Sequence, residues 1–200
     1  MVGVKMEHSP NLDLIFNVAQ LLKEHVGAVR YLPVETSALS LYDDDGNHMD
    51  ARNLVGEVKV TRLGDGLLVQ GDIRADVDLQ CSRCLDDITV PVDARLEEQF
   101  KPTVDVETGR AIKHEEQEED DAFTIDNVHQ MDMSEPIRQA LLVALPMRPL
   151  CRENCKGLCP VCGANRNNTD CGHHEEPMDS RWEGLRELDL ADFPVDRNAN

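Results

Sequence analysis

The 200-residue chain carries 39 acidic against 20 basic residues, a formal charge of −19, and its 40% hydrophobic content includes only 4% aromatics. That length allows one substantial domain, or one domain plus a small appended module, with a core built from Leu, Val, Ile and Ala. The acidic excess repels polyanions as a whole and argues against a wrap-around nucleic-acid clamp, but it leaves room for a local basic patch.

At the start, MVGVKMEHSPNLDLIF contains no apolar run of signal-peptide length. The longest purely aliphatic stretch, Ala140 to Leu145, is too short to span a bilayer. A cytoplasmic protein is therefore expected. Leu12, Ile15, Phe16, Ala19 and Leu22 recur at helical spacing after Asn11, a suitable N-cap, with Gly27 as the stop. From about Val34 to Phe100 the period changes to two. GEVKVTRL, GDIRADVDLQC and ITVPVDARLEEQF alternate apolar and polar residues, and the turns DDDGN and LGDG separate such runs. This predicts an antiparallel meander with one buried face.

Thr103 to Asp126 has few large apolar residues and many like charges, the composition of a disordered linker. SEPIRQALLVAL then reads as a helix, with Ser134 as N-cap, Pro136 in the first turn and Pro146 ending it. DSRWEGLREL reads as a short closing helix capped by Asp179. The expected architecture is α+β: an antiparallel β-meander or partly closed sheet with flanking helices and a C-terminal zinc-binding module. The expected divisions are residues 1–102 (helix plus sheet), 103–126 (acidic linker) and 127–200 (helix, cysteine module and closing helix).

Seven cysteines, an odd number, in a reducing compartment point to metal rather than disulfides. CPVCG, Cys159 to Gly163, reads as a zinc knuckle: a tight turn aims backbone N–H groups at two thiolates, and Gly163 supplies the positive φ of its exit. Two further ligands complete a tetrahedron. Cys155 and Cys171 are the first choice, with Cys151 and His173 as alternatives. CSRC, Cys81 to Cys84, lacks the following helix of a thioredoxin-type pair. It reads either as a strand-to-strand turn with small buried thiols or as part of a second or split zinc site, in the split case joining Cys159 and Cys162.

Other matches fail on detail. HEE at His114 followed by CPVC imitates the H-x-E … P-C-x-x-C pattern of zinc deaminases, but here the proline lies between the cysteines and no helix carries the H-x-E. DDDGNHMD lacks the first and closing ligands of a calcium loop. No phosphate-loop, G-x-S-x-G or H-E-x-x-H motif occurs. From Pro146 to Gly172, Arg148, Arg152, Lys156 and Arg166 face only Glu153 and Asp170, a basic island that offers candidate RNA contacts. Four zinc-bound thiolates would add about −2 and cancel its formal excess.

CSRCLDDITVPV, LLVALPMRPLC, CKGLCPVCGANRN and MDSRWEGLREL together resemble the YceD-like family of large ribosomal RNA subunit accumulation proteins, in order from about Val58 to Leu188. The resemblance implies a bacterial or organellar cytosolic factor, with no enzymatic activity implied, for accumulation of large-subunit (23S-type) ribosomal RNA; a large-subunit precursor is the expected partner, and the acidic charge points to its basic ribosomal proteins, with RNA as a candidate direct contact. It also implies C-x-C near the end of the module, where this chain has CGHH; Cys171 matches and His173 replaces the second cysteine. Arg166 stands where a leucine is expected. The acidic run holding Glu115, Glu116, Glu118 and Glu119 is the candidate docking segment for a basic protein. The competing class is a zinc-dependent nucleotide or nucleic-acid hydrolase or deaminase. It would need three protein ligands, an open coordination position and a carboxylate base, and a surplus of thiols argues against it.

Overall fold

A computed structural model of the chain describes residues 12–42, 48–112 and 123–173. It divides into two compact units, Met1–Cys155 and Lys156–Asn200.

The first unit is mostly β, a curled half-barrel sheet with few helices, which corrects the α+β expectation of flanking helices. Its strands are β1 (Ile15–Asn17), β2 (Val29–Tyr42), β3 (His48–Arg62), β4 (Leu67–Gln80), β5 (Asp87–Pro102), β6 (Phe123–Ile125) and β7 (Gln130–Asp132). They lie in the order β1-β7-β6-β5-β4-β3-β2. The period-two runs lie in β3, β4 and β5. Val58, Val60, Val69, Ile73, Ala75, Val77, Val92, Ala94 and Leu96 are buried, and the charged residues between them face out. A one-residue slip would reverse every one of these side chains, so the apolar alternation itself specifies the register.

Only two helices accompany the sheet among the described residues, α1 (Ala19–Leu22) and α2 (Ser134–Ala144). The helix expected from Leu12 onward is instead a 3₁₀ turn, Leu12–Leu14, then β1, then the single turn α1. Pairing overrides helical spacing here: Ile15, Phe16 and Asn17 stand opposite Asp132, Met131 and Gln130 of β7 in an antiparallel pair. The Asn17 side chain then accepts the Ala19 N–H at 3.1 Å. In α2 the expected capping role of Ser134 falls to Asp132, whose carboxylate accepts the Ser134 N–H at 2.8 Å. Leu145, before Pro146, is extended (φ −61°, ψ 139°), which ends the helix as the proline requires.

α2 packs against both β5 and β2, strands separated in the sheet by β4 and β3. One helix can touch both only if the sheet curls, and its Ile137 and Leu141 are fully buried in the core with Leu14, Phe100, Met131 and Met133. The bend has a local source. The β3–β4 register skips between Arg52 and Val55, with Asn53 at φ 52°, a bulge that increases strand twist. Arg138 locks the helix in place, pairing with Glu135 and donating to the Tyr42 carbonyl at the end of β2 at 2.6 Å.

The stretch expected as a linker is built into the sheet at both ends. Val104 bridges Ala111, Thr103 N–H bonds to the Ile125 carbonyl at 3.0 Å, and β6 runs parallel to β5. Residues 113–122 and the expected closing helix around Trp182 lie outside the described residues. Among the described residues no helix is long and apolar enough to cross a membrane.

Close strand packing yields a stability prediction. A Cβ on Gly71 of β4 would meet the Glu57 carbonyl oxygen at 2.4 Å and Val58 Cα at 2.9 Å, whereas one on Gly64 meets nothing within 4 Å. In urea unfolding, Gly71→Ala should lose about 1–3 kcal/mol or more, and Gly64→Ala should stay within about 0.5 kcal/mol of the parent.

Candidate metal centres

β4 and β5 pair without interruption from Leu67↔Phe100 to Gln80↔Asp87, and the chain reverses between them through Cys81–Asp86. Within that turn the Cys81 N–H bonds to the Asp86 carbonyl at 2.9 Å and the Leu85 N–H to the Cys81 carbonyl at 3.0 Å. Leu85 takes φ 60°, a left-handed conformation uncommon for a branched aliphatic residue. The closed turn directs the Cys81 and Cys84 side chains inward, and both are buried.

After α2 the chain returns to this turn. The Ser82 N–H and hydroxyl both donate to the Pro149 carbonyl, at 2.8 and 3.1 Å. The Arg83 guanidinium donates to the Cys155 carbonyl at 2.9 Å. These bonds bring Cys151 and Cys155 onto the first pair. Cys81 Sγ lies 3.8 Å from Cys155 Sγ, and Cys84 Sγ lies 3.6 Å from Cys151 Sγ. The four ligand atoms fall within 4.8 Å of one another, a group that could hold a metal ion.

The second unit holds another such group: Cys159, Cys162, Cys171 and His173, again with ligand atoms within 4.8 Å. Its turn begins where Leu158 bridges Asn165. The Cys159 N–H bonds to the Ala164 carbonyl and the Gly163 N–H to the Cys159 carbonyl, both at 2.8 Å, with Gly163 at φ 70°. Side-chain amides brace the surrounding loop: Asn167 accepts the Lys156 N–H at 2.8 Å, and Asn165 accepts the Asn167 N–H at 3.0 Å. Gly172, at φ 68° with its N–H on the Asp170 carboxylate, turns the chain between Cys171 and His173.

The sulfurs are therefore grouped differently from the roster expected around the knuckle. Cys155 stands with Cys81, Cys84 and Cys151, and His173 completes the set of Cys159, Cys162 and Cys171. The chain's spacing held the signal: a C-x-x-C and a C-x3-C make four ligands without borrowing from the knuckle.

Electrostatics is similar in the two groups. The Cys84 N–H, helped by those of Arg83 and Cys151, outweighs burial and lowers the Cys81 thiol to about 6. The Cys162 and Val161 N–H groups do the same at Cys159, also to about 6. The later thiols are harder to ionise. At Cys84 the Asp86 N–H is outweighed by burial, the Cys81 sulfur and the Asp86 carboxylate, and the thiol is raised. At Cys162 the Ala164 N–H is outweighed by burial and by Cys159 and Cys171. Desolvation and the Cys155 sulfur raise Cys151. Each turn thus favours one thiolate and disfavours the next.

Arg148 and Arg152 are exposed in the first unit, and Lys156 (exposed) and Arg166 (half-buried) belong to the second. The acidic run with Glu115, Glu116, Glu118 and Glu119, and the H-x-E at His114, lie outside the described residues. An open cleft of about 880 Å³ lined by His48, Met49, Asp78, Leu79, Gln80, Asp87, Ile88 and Thr89 includes no cysteine of either group.

Comparison with known proteins places these groups in context. Residues 69–189 match the family described as "Large ribosomal RNA subunit accumulation protein YceD". Uncharacterised proteins of Mycobacterium tuberculosis and Mycobacterium bovis are each 31% identical over 132 residues, 66% of this chain and 60% of the relative. A Zea mays protein named "Large ribosomal RNA subunit accumulation protein YCED homolog 1, chloroplastic" is 28% identical over 132 residues, 56% of this chain and 45% of the relative. The chain spans 60% of the length of the mycobacterial relatives it matches. No solved structure matches.

Among the described residues of the second unit, 156–173, few apolar side chains are buried, so the order of this segment is expected to depend on the cysteine turn. Cys162→Ala should open residues 156–173 to limited proteolysis while β2 to β5 stay resistant, because no ligand of the second group belongs to the sheet. Sensitivity spreading through the sheet would contradict this independence.

Proposed function

We propose a role that starts from one fact: the chain belongs to the YceD family of large ribosomal RNA subunit accumulation proteins. It is a non-catalytic factor in large-subunit ribosome biogenesis that supports accumulation of 23S-type ribosomal RNA by binding a precursor particle. The observation that carries this reading is the family match over residues 69–189, which includes both cysteine groups and the basic island.

The cofactor of the second unit is Zn²⁺, held by Cys159, Cys162, Cys171 and His173. Three thiolates and an imidazole suit this ion, and four protein ligands leave no open position for a substrate or an activated water. That supports a structural role over the competing hydrolase or deaminase. Thiolate ligands also fit a reducing compartment such as the cytoplasm.

Charge favours a protein as the first partner. Ribosomal proteins that meet RNA are basic, and a chain of formal charge −19 attracts them while opposing the RNA itself. The carboxylates from Glu115 to Asp121 are close enough in sequence to act together within a Debye length of about 8 Å. RNA contact is then local, through Arg148, Arg152, Lys156 and Arg166. Affinity capture from lysate should retain the main partner after nuclease treatment. Replacing Glu115, Glu116, Glu118 and Glu119 with Gln should weaken that capture, most at low salt, where the carboxylates are least screened. Release of every partner by nuclease, with the Gln variant unaffected, would place RNA first.

A further inference from the structure

We infer that Cys81, Cys84, Cys151 and Cys155 form a zinc site of their own, a tetrathiolate in the first unit that fastens the β4–β5 turn to the segment leaving α2. It is separate from the three-thiolate, one-imidazole site of the second unit and does not depend on the ribosomal reading.

Three observations carry it. The first is the sulfur spacing. A tetrahedral ion with Zn–S bonds of about 2.3 Å sets its sulfurs about 3.8 Å apart, and the cross-segment pairs stand at 3.8 and 3.6 Å. Disulfides would bring each pair to about 2.05 Å, and none of the seven cysteines is joined in a disulfide. An iron–sulfur cluster interposes several atoms between its cysteines, which a group confined within 4.8 Å does not accommodate.

The second is a repeated motif. The Cys81–Asp86 turn reproduces the Cys159–Ala164 turn bond for bond. In each, the N–H of the first cysteine reaches the carbonyl five residues on, and the N–H four residues on returns to the first cysteine's carbonyl. In each, the residue after the second cysteine has positive φ, Leu85 at 60° and Gly163 at 70°. An ordinary hairpin turn would place Gly or Asn there. Leu85 is 57% exposed, so no burial of its side chain explains the conformation; the knuckle geometry does.

The third is the second pair of ligands. Cys151 and Cys155 sit on a segment without helix or strand, held against the turn by the bonds of Ser82 to Pro149 and Arg83 to Cys155. These bonds use backbone carbonyls and leave the sulfurs to meet one another. Four thiols packed together offer weak donors and acceptors, whereas four thiolates around Zn²⁺ satisfy the whole group.

Zinc and iron should be counted in the full-length chain purified under reducing conditions. Two zinc ions and no iron per chain are expected, one for each group. Cys84→Ser, Cys151→Ser and the two combined should each retain one zinc, because both residues serve the same ion. Cys162→Ser should also retain one, and Cys84→Ser with Cys162→Ser should retain none. A parent chain with one zinc that Cys84→Ser keeps would overturn the proposal, as would iron in place of zinc. Loss of a single zinc in Cys162→Ser with retention in Cys84→Ser would leave the second unit's site standing alone. Cobalt(II) substitution of the unmutated chain gives an answer free of folding defects. Seven coordinated thiolates should give thiolate-to-cobalt absorption about twice that of the three in the second unit alone. Absorption at the three-thiolate level would refute the first-unit site.

Discussion

The uninterrupted ladder between β4 and β5 is the constraint on which the rest of the first unit depends. Its register runs from Leu67↔Phe100 to Gln80↔Asp87 with no skip, so the positions of Cys81 and Cys84 follow from it. At its other end it buries Phe100, which stacks near Phe123 with ring centroids 5.5 Å apart and so guides β6 into parallel pairing with β5. The helix α2 then rests on β5, and the chain leaving α2 arrives at the turn where the cysteines wait. A slip of one residue along this ladder would expose the apolar face and reverse the strand ends beside the cysteines.

Surface charge contributes little to that framework. Arg74 and Asp93 pair across β4 and β5 at 2.6 Å, yet both side chains are more than two-thirds exposed. Such pairs stabilise by about 0–1 kcal/mol. Their value lies in orientation: they neutralise a few carboxylates on the outer face and leave the excess negative charge free to act at longer range. The same field bears on the metal groups. Each turn lowers one thiol to about 6 through its own N–H groups, while burial and sulfur neighbours raise the next. A divalent cation bound by either group would resolve that conflict locally.

The strands were legible in the sequence because one face of the sheet is buried and the apolar alternation in GEVKVTRL and GDIRADVDLQC maps directly onto it. The short strand β1 at the start was not, because Leu12, Ile15, Phe16, Ala19 and Leu22 satisfy helical spacing, while its pairing partner, β7, lies more than a hundred residues away. Asp132 could not be recognised as the residue holding the first N–H of α2 for a related reason: Ser134 has the better local cap chemistry, and only the strand-to-helix geometry turns the aspartate onto it. The knuckle at Cys159 was legible through Gly163. The one at Cys81 was obscured by Leu85, which gives no sign in sequence of its positive φ.

Ligand arithmetic ties these points together. Seven cysteines and His173 supply eight candidate ligands, and the fold gathers them into two groups of four, each of which could hold a metal ion. The division answers a shortage of apolar mass. With 4% aromatics the chain has few large side chains to close the loops at its sheet tip and beyond Lys156. A short loop cannot bury enough surface to offset its conformational entropy, whereas a bound structural zinc can contribute on the order of 10 kcal/mol. Metal coordination can therefore do for these loops what Phe100 and its neighbours do for the sheet. Cys155 ends the first unit, and only Lys156, Gly157 and Leu158 separate it from Cys159, so the chain passes from one ligand set directly into the next.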